Sequence, residues 1–458
     1  MTEAAFEPAR IGAFRFTGCS FDAAAGEARL GYGFDDMPEM VEVIRFPGAP
    51  FALEGARAGA VERALRLLHL VAGISYYKAA VPPDIRIDGA PIDAATAGLL
   101  ELLYENGLGE FAYRNGLDLH GRIRFPHGAA DTGGAPAAGL RAHALVAIGG
   151  GKDSLVSIEA LRAAGVAQTV SWVGGAPLIR SCAERTGLPT LNITRQLAPA
   201  LFELNKRGAL NGHIPVTAIN SAILALAALL VDADAVVFSN ERSASYGSLI
   251  ISDDGHTTTE VNHQWSKGWA FERAFAALLR SHVAADLAYY SLLRPLSELA
   301  VARQFAKTDH YDAWFSSCNR NFHLLGDRPA QRWCGECPKC HFVFLALAPF
   351  MPKPRLMAIF GRNLLDEPEQ APGFDALLEY RDHKPFECVG EGIESRAAMA
   401  ALAALPTWRE DALVARFAEE IAPQLSDGDL SLAPLLVPAG EHGIPPGLWS
   451  AVRENFRA

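Results

Sequence analysis

Between Ile148 and Ser154 the chain reads Ile-Gly-Gly-Gly-Lys-Asp-Ser. Three successive glycines reach backbone angles closed to other residues and let a ligand approach the main chain. A helix opening at this point would present unpaired N–H groups and the positive end of its dipole. Ser154 adds a hydroxyl and Lys152 an ammonium, so Gly149, Gly150, Gly151, Lys152, Asp153 and Ser154 form a candidate grip for pyrophosphate oxygens. Two familiar phosphate loops do not fit. GxxxxGK[ST] needs Ser or Thr after the lysine, where Asp153 stands, and GxGxxG needs another glycine spacing. The plainer alternative is a glycine turn capped by Asp153 and Ser154, both good N-cap types.

A second constellation is Cys334-x-x-Cys337-x-x-Cys340, with Cys318 upstream. Four thiolates with no open position suit structural zinc, and Gly335 and Pro338 suit a tight knuckle. The spacing is that of a metal site in a reducing compartment, not of a secreted disulfide framework. Cys19, Cys182 and Cys388 lie outside the cluster. Each is a potential thiol acid/base group, as in some cofactor-free racemases, set against the commoner state of a buried inert cysteine.

Two polar runs complete the candidates. In EVNHQWSK, Glu260, His263 and Lys267 share one face if the segment is helical. His263 and Lys267 are then the leading acid/base pair, with a solvated stripe or a satisfied core histidine as the alternative. Glu241 and Arg242 follow the apolar run AVVFSN. Residues at the carboxyl ends of parallel strands face a ligand crevice, so Arg242 is placed to hold a carboxylate or phosphate, unless it pairs with Glu241.

The elements that must position these groups read as an α/β chain. Ile11 to Pro47 alternates polar and apolar residues as antiparallel strands do, and helices follow from about Ala56 to Val71 and Asp93 to Asn106. Gly128 to Gly139 is poor in core-forming residues and marks a boundary. Beyond it, ALVAIGG, QTVSWVGG, LPTLNI and AVVFSN alternate with helical segments near 153–164, 178–186 and 216–230, which predicts a parallel sheet with helices on both faces. A polar insertion at Ser252 to Thr259 precedes helices at 270–288 and 296–305. The expected division is an N-terminal α+β domain (1–138), a nucleotide-binding domain (139–305), a four-cysteine zinc subdomain (306–350) and a helical C-terminal region (351–458) in which no chemistry is evident.

The 458 residues are half hydrophobic, enough for several buried cores and too apolar for disorder. A net charge of -11 argues against a whole-surface grip on nucleic acid. Met1 to Arg10 lacks the apolar core of a signal peptide, and the longest apolar run, Ala222 to Val231, is about half a bilayer span. The expected location is the cytoplasm, with no membrane partner.

Gly150, Gly151, Asp153 and Ser154 match the SGGxDS loop of the PP-loop ATP pyrophosphatases, Gly149 standing where serine is usual. That resemblance implies an adenine nucleotide alpha hydrolase-like fold and cleavage of ATP to AMP and pyrophosphate. A cysteine followed by CxxCxxC late in such a chain is similar to 7-cyano-7-deazaguanine synthase. The fuller resemblance runs from the strand-rich N-terminal region through GGGKDS, SNERSASYG, EVNHQWSK and the cysteine cluster. It is to the UDP-N-acetyl-muramoyl-L-alanyl-L-glutamate epimerases. This implies inversion of the terminal L-Glu of UDP-MurNAc-L-Ala-L-Glu, with ATP and Mg2+, in peptidoglycan precursor synthesis. Adenylating the α-carboxylate makes chemical sense, because it removes the charge that otherwise opposes loss of the α-proton. Other carboxylate-activating enzymes, such as a 7-deazaguanine nitrile synthase or an amide-forming ligase, and a non-catalytic ATP sensor are the competing readings. Transfer RNA thiolation is disfavoured by the acidic balance.

Overall fold

The computed structural model describes residues 5–129, 134–251, 258–322, 329–381 and 384–457, with the backbone alone at 248–251 and 258–260. Its strands, in chain order, are β1 (Ala13–Asp22), β2 (Glu27–Phe34), β3 (Met40–Arg45), β4 (Asp84–Ile87), β5 (Arg141–Ala147), β6 (Gln168–Val173), β7 (Thr190–Gln196), β8 (Ala233–Phe238), β9 (Ser248–Ile251), β10 (Thr258–Val261) and β11 (Ala288–Ser291). Nine of them form one mixed sheet in the order β11-β8-β5-β6-β7-β3-β2-β1-β4. Its β5, β6, β7, β8 and β11 are mutually parallel, as the alternation of short apolar runs with helices predicts.

The antiparallel meander β1–β3 continues this sheet across the boundary expected at 138/139, because β3 pairs antiparallel with β7. A buried ion pair holds that seam in register. Arg195 donates to both oxygens of Glu42, at 2.7 and 3.1 Å, and to Ser75 Oγ at 2.9 Å. The bidentate fork fixes direction as well as distance. The glycine-rich connection is also tied down where it is described. Asp286 accepts N–H bonds from Ala138, Gly139 and Leu140 at 2.7 to 2.9 Å, and although burial opposes it, these bonds hold its carboxyl below the usual range.

Helices cover both faces. The apolar run reads correctly as a buried helix, Val216–Val231, which packs beside Gly55–Ala72 on one face. Asp232 ends it in the left-handed conformation, a residue type that tolerates αL. Helices Lys152–Ala163 and Glu298–Ala306 lie on the other face, backed by the C-terminal helices Pro338–Leu347 and Gly392–Ala403. Asp93 caps the helix Ala94–Gly107, accepting from Ala95 and Thr96 N–H. No helix of the described residues is long and apolar enough to cross a membrane.

Several expected elements differ. The helix expected through 270–288 stops as Trp269–Leu278, passes through a π turn, and gives way to β11, whose backbone finds its partners on β8. Within the C-terminal region expected to be helical, the helix Ala412–Arg416 is short and ends in π and 3-10 turns. Pro423 has no N–H to continue the ladder and clashes with the preceding turn. Of the polar insertion, 252–257 lie outside the described residues, and the flanking backbone forms the β9–β10 pair.

Candidate active site

The glycine loop leaves β5 at the carboxyl edge of the parallel strands and enters the helix Lys152–Ala163. Gly150 has φ +80°, which only glycine adopts freely, and it makes the turn. Its carbonyl accepts the Ser316 N–H at 2.9 Å, so the segment leading to Cys318 braces the loop from behind. A side-chain carbon built on Gly149 would touch nothing within 4 Å, leaving the loop open on that side. Gly151 is the N-cap and offers no side chain to the first-turn N–H groups. Ser154 Oγ donates to the Gly151 carbonyl at 3.1 Å. An uncapped N-terminus of a 12-residue helix behind an open glycine turn fits an anion of phosphate type.

Lys152 does not present its charge to that opening. It is buried, with its ammonium bonded to the carboxylates of Asp153 and Glu298. Burial alone would lower its pKa, but the two carboxylates raise it, so it stays charged. Asp153 is held below the usual carboxylate range against burial by Lys152, Lys339 and Lys267. Glu298 is pushed up by burial and by Asp153, in spite of Lys152. Glu241 and Glu394 are also pushed up, by burial first and then by neighbouring acids. Beneath the glycine loop lies a largely buried lattice of acids threaded by lysines.

Glu241 follows β8 as expected, but it does not pair with Arg242. Its carboxylate caps the 3-10 turn Arg242–Ser245, accepting from Ala244 N–H at 2.8 Å and from Ser243 Oγ at 2.9 Å. Among the described residues the Arg242 side chain has no hydrogen bond or ion pair, and its charge is felt at Glu391. Burial and Glu394 push Glu391 up to about 7.

EVNHQWSK is not one helix. Glu260 lies on β10, where its backbone alone is described, and Lys267 ends the 3-10 turn Trp265–Lys267. Asn262 breaks the segment by accepting the Gln264 N–H on its side chain at 2.8 Å, the local competition that makes Asn a poor helix-interior residue. His263 and Lys267 still meet electrostatically. Burial, then Lys267, lowers the His263 pKa to about 3, with Lys384 and Lys339 adding to the effect and Glu110 opposing it. His213 packs against His263 with ring centroids 6.0 Å apart, and burial lowers its pKa too.

Lys267 Nζ lies 2.9 Å from Cys388 Sγ, and Lys339 Nζ bonds the Cys388 carbonyl. The C-terminal region, which reads as having no chemistry, therefore brings a thiol to Lys267. Glu387 beside it is pushed up to about 7 by burial and by Cys388. Glu298, Lys339, Glu394 and Cys388 carry no local pattern that marks them in advance; only Cys388 is singled out in the sequence, by type alone.

Arg294 joins these parts. Buried, it bonds the Glu272 carboxylate through Nε and Nη2 at 3.1 and 2.7 Å, the Glu241 carbonyl through Nη1 at 2.8 Å, and the Lys267 carbonyl.

The four expected cysteines converge. Their sulfurs lie within 4.8 Å of one another, with Cys318 to Cys337 at 4.0 Å and Cys334 to Cys340 at 3.7 Å. Cys334 Sγ accepts the N–H of Glu336 and Cys337 at 3.4 and 3.3 Å. Tetrahedral thiolates at about 2.3 Å from a metal stand about 3.8 Å apart, so the group fits a metal ion.

Comparison with known proteins gives a consistent result. The model of the MurL N-terminal domain matches residues 5–292 and that of the MurL C-terminal domain matches 314–431. A protein of Xanthomonas oryzae pv. oryzae named UDP-N-acetyl-alpha-D-muramoyl-L-alanyl-L-glutamate epimerase is 69% identical over 99% of both chains. Proteins of the same name from a Micromonospora species (44% identical, covering 97% of this chain and 98% of that one) and from Salinispora tropica (42%, covering 95% and 94%) are also similar. The chain therefore belongs to the UDP-N-acetyl-alpha-D-muramoyl-L-alanyl-L-glutamate epimerase family and is an enzyme of that epimerase class.

Proposed function

We propose that the chain inverts the terminal L-Glu of UDP-MurNAc-L-Ala-L-Glu to D-Glu, in the cytoplasm and for peptidoglycan precursor synthesis, through an ATP-activated α-carboxylate. The observation that carries this reading is the nearness of an uncapped helix N-terminus behind a glycine turn to the Lys267–Cys388 pair: Lys267 interacts electrostatically with Asp153, and Cys388 with Glu298, the buried partner of Lys152. Phosphate chemistry and proton transfer need those two features side by side.

ATP, with Mg2+ on its phosphates, would supply the adenylyl group that neutralises the α-carboxylate and releases pyrophosphate. The chain's own groups do the rest. The N–H groups at Gly150 to Ser154 hold phosphate oxygens, in the manner of a PP-loop, while Lys152 and Glu298 hold the loop from beneath. Arg242, without a partner among the described residues, is free to take an anionic oxygen of the peptide. Lys267, kept charged against burial by Cys388, Glu241 and Asp153, would balance the negative charge that develops as the α-proton leaves. His263 remains a candidate for orienting substrate as a neutral imidazole. Cys318, Cys334, Cys337 and Cys340 would hold zinc, which ties the segment bracing Gly150 to the helix Pro338–Leu347.

The test is incubation of the full chain with UDP-MurNAc-L-Ala-L-Glu, ATP and Mg2+ in deuterated water. D-Glu carrying α-deuterium, with AMP and pyrophosphate, is expected. Absence of both inversion and label would remove the assignment.

A further inference from the structure

Cys388 stands 121 positions beyond Lys267, yet their side chains touch at 2.9 Å. Two ammonium groups on separate elements converge on this residue: Lys267 from the 3-10 turn reaches its sulfur, and Lys339 from the helix Pro338–Leu347 reaches its carbonyl. Glu298 and Glu387 are the opposing charges nearby. Cys388 is also half-buried and not sealed. Cys182 shows the contrast: it is fully buried, its thiol faces the Gly150 carbonyl, and burial pushes it up to about 12.

We propose that Cys388, as a thiolate paired with the Lys267 ammonium, exchanges the proton on one face of the glutamate α-carbon. This rests on the epimerase reading above. In the forward step the α-C–H bond breaks and an S–H bond forms, while the C–H electron pair moves into the activated carbonyl as an enolate. The opposite face takes a proton from a donor in equilibrium with water, and the thiol later returns its proton to water, so the net change is inversion alone. Lys267 balances the thiolate before transfer and the enolate oxygen after it.

Two observations favour sulfur over the imidazole of His263. Burial, and then the charges of Lys267, Lys384 and Lys339, oppose a proton on the His263 ring, with Glu110 favouring it. Burial opposes charge on Cys388 as well, but Lys267 and Lys339 overcome it and hold the thiol below its ordinary range. Low-pKa thiols next to lysine are the reactive ones.

The test compares the wild-type chain with Cys388→Ser, using UDP-MurNAc-L-Ala-L-Glu, ATP and Mg2+ in deuterated water, and reads AMP release and inversion separately. Inversion is expected to fall about a hundredfold or more beyond any loss of AMP release, the range of a general acid/base group. Inversion in Cys388→Ser within about threefold of wild type would overturn the inference but leave the epimerase reading standing. A wild-type chain that neither inverts nor labels substrate would instead remove the reading on which it rests. As a second measurement, alkylation of Cys388 by iodoacetamide is followed against pH by peptide mass spectrometry. A midpoint below the free-thiol value of about 8.5 that rises in Lys267→Met supports the pair. A midpoint at or above that value overturns it, and decides the matter if Cys388→Ser also loses AMP release.

Discussion

Beneath the glycine loop the Lys152 ammonium meets the Glu298 carboxylate, joining the first turns of two helices 146 positions apart. Neither group reaches solvent. Removing one partner of a buried pair leaves the other charge uncompensated, at a cost of about 3–5 kcal/mol. Lys152→Met is therefore expected to destabilise the chain by that amount in urea unfolding. Glu298→Gln should cost less, because Asp153 remains as a partner. Equal stability of Lys152→Met and wild type would show that this contact does not hold the loop.

The loop itself makes a sharper prediction for catalysis. At Gly150 the backbone has φ +80°, so Gly150→Ala incurs about 1–2 kcal/mol of strain in the turn. The KM for ATP should rise about tenfold while inversion of bound substrate persists. Asp153→Ala and Ser154→Ala are expected to abolish AMP formation, and normal turnover by Asp153→Ala would contradict the loop assignment.

The cysteine cluster predicts one zinc ion per chain by metal analysis. Ser316 ties this cluster's segment to Gly150, so metal loss should reach the loop. Chelation, or Cys340→Ser, is expected to lower the melting temperature and raise the KM for ATP together. A chain that is fully active and equally stable without metal would show the sulfurs to be a coincidence of packing.

Long apolar runs, the glycine loop and CxxCxxC were legible in the sequence because each is a local pattern with one physical cause. Val216–Val231 can hardly be anything but a buried helix, and four cysteines at metal spacing converge as expected. Contacts between distant positions were not legible. Nothing near Lys152 announces that its charge turns down to Glu298, and nothing in the proline-rich tail announces that Cys388 meets Lys267. His263 and Lys267 come together for a different reason than the helical spacing suggested, since Asn262 breaks the segment into strand, turn and 3-10 turn.

His263 gives a pH prediction whose sign can be worked out. Its pKa is lowered from 6.5 to about 3 in the folded chain. Below pH 6.5 the unfolded chain binds a proton there that the folded chain refuses. Its contribution to stability is present above pH 6.5 and is lost as pH falls from 6.5 towards 3. In NMR, the His263 ring resonances should not titrate between pH 8 and 5. His263→Gln should flatten the fall in stability over pH 6.5 to 5. A ring that titrates near 6.5 would mean that it is neither buried nor crowded by the lysines.

Arg294 supplies the last prediction, because one guanidinium ties the Glu241 and Lys267 segments of the candidate site together. It holds the carbonyl of Glu241, which precedes Arg242, and the carbonyl of Lys267, while Glu272 fixes the guanidinium itself. Three acceptors in three directions need a planar fork, and a lysine ammonium cannot reproduce that geometry. Arg294→Lys keeps the charge against Glu272, so the fold is expected to survive, but the Lys267 turn loses its anchor. A shift of about 1 Å in a positioned group costs up to a hundredfold in rate. The expected signature is a fall in kcat for inversion of tenfold or more, with the KM for ATP little changed, since the glycine loop does not touch Arg294. If kcat stayed at the wild-type value, Lys267 would be held by its contact with Cys388 alone.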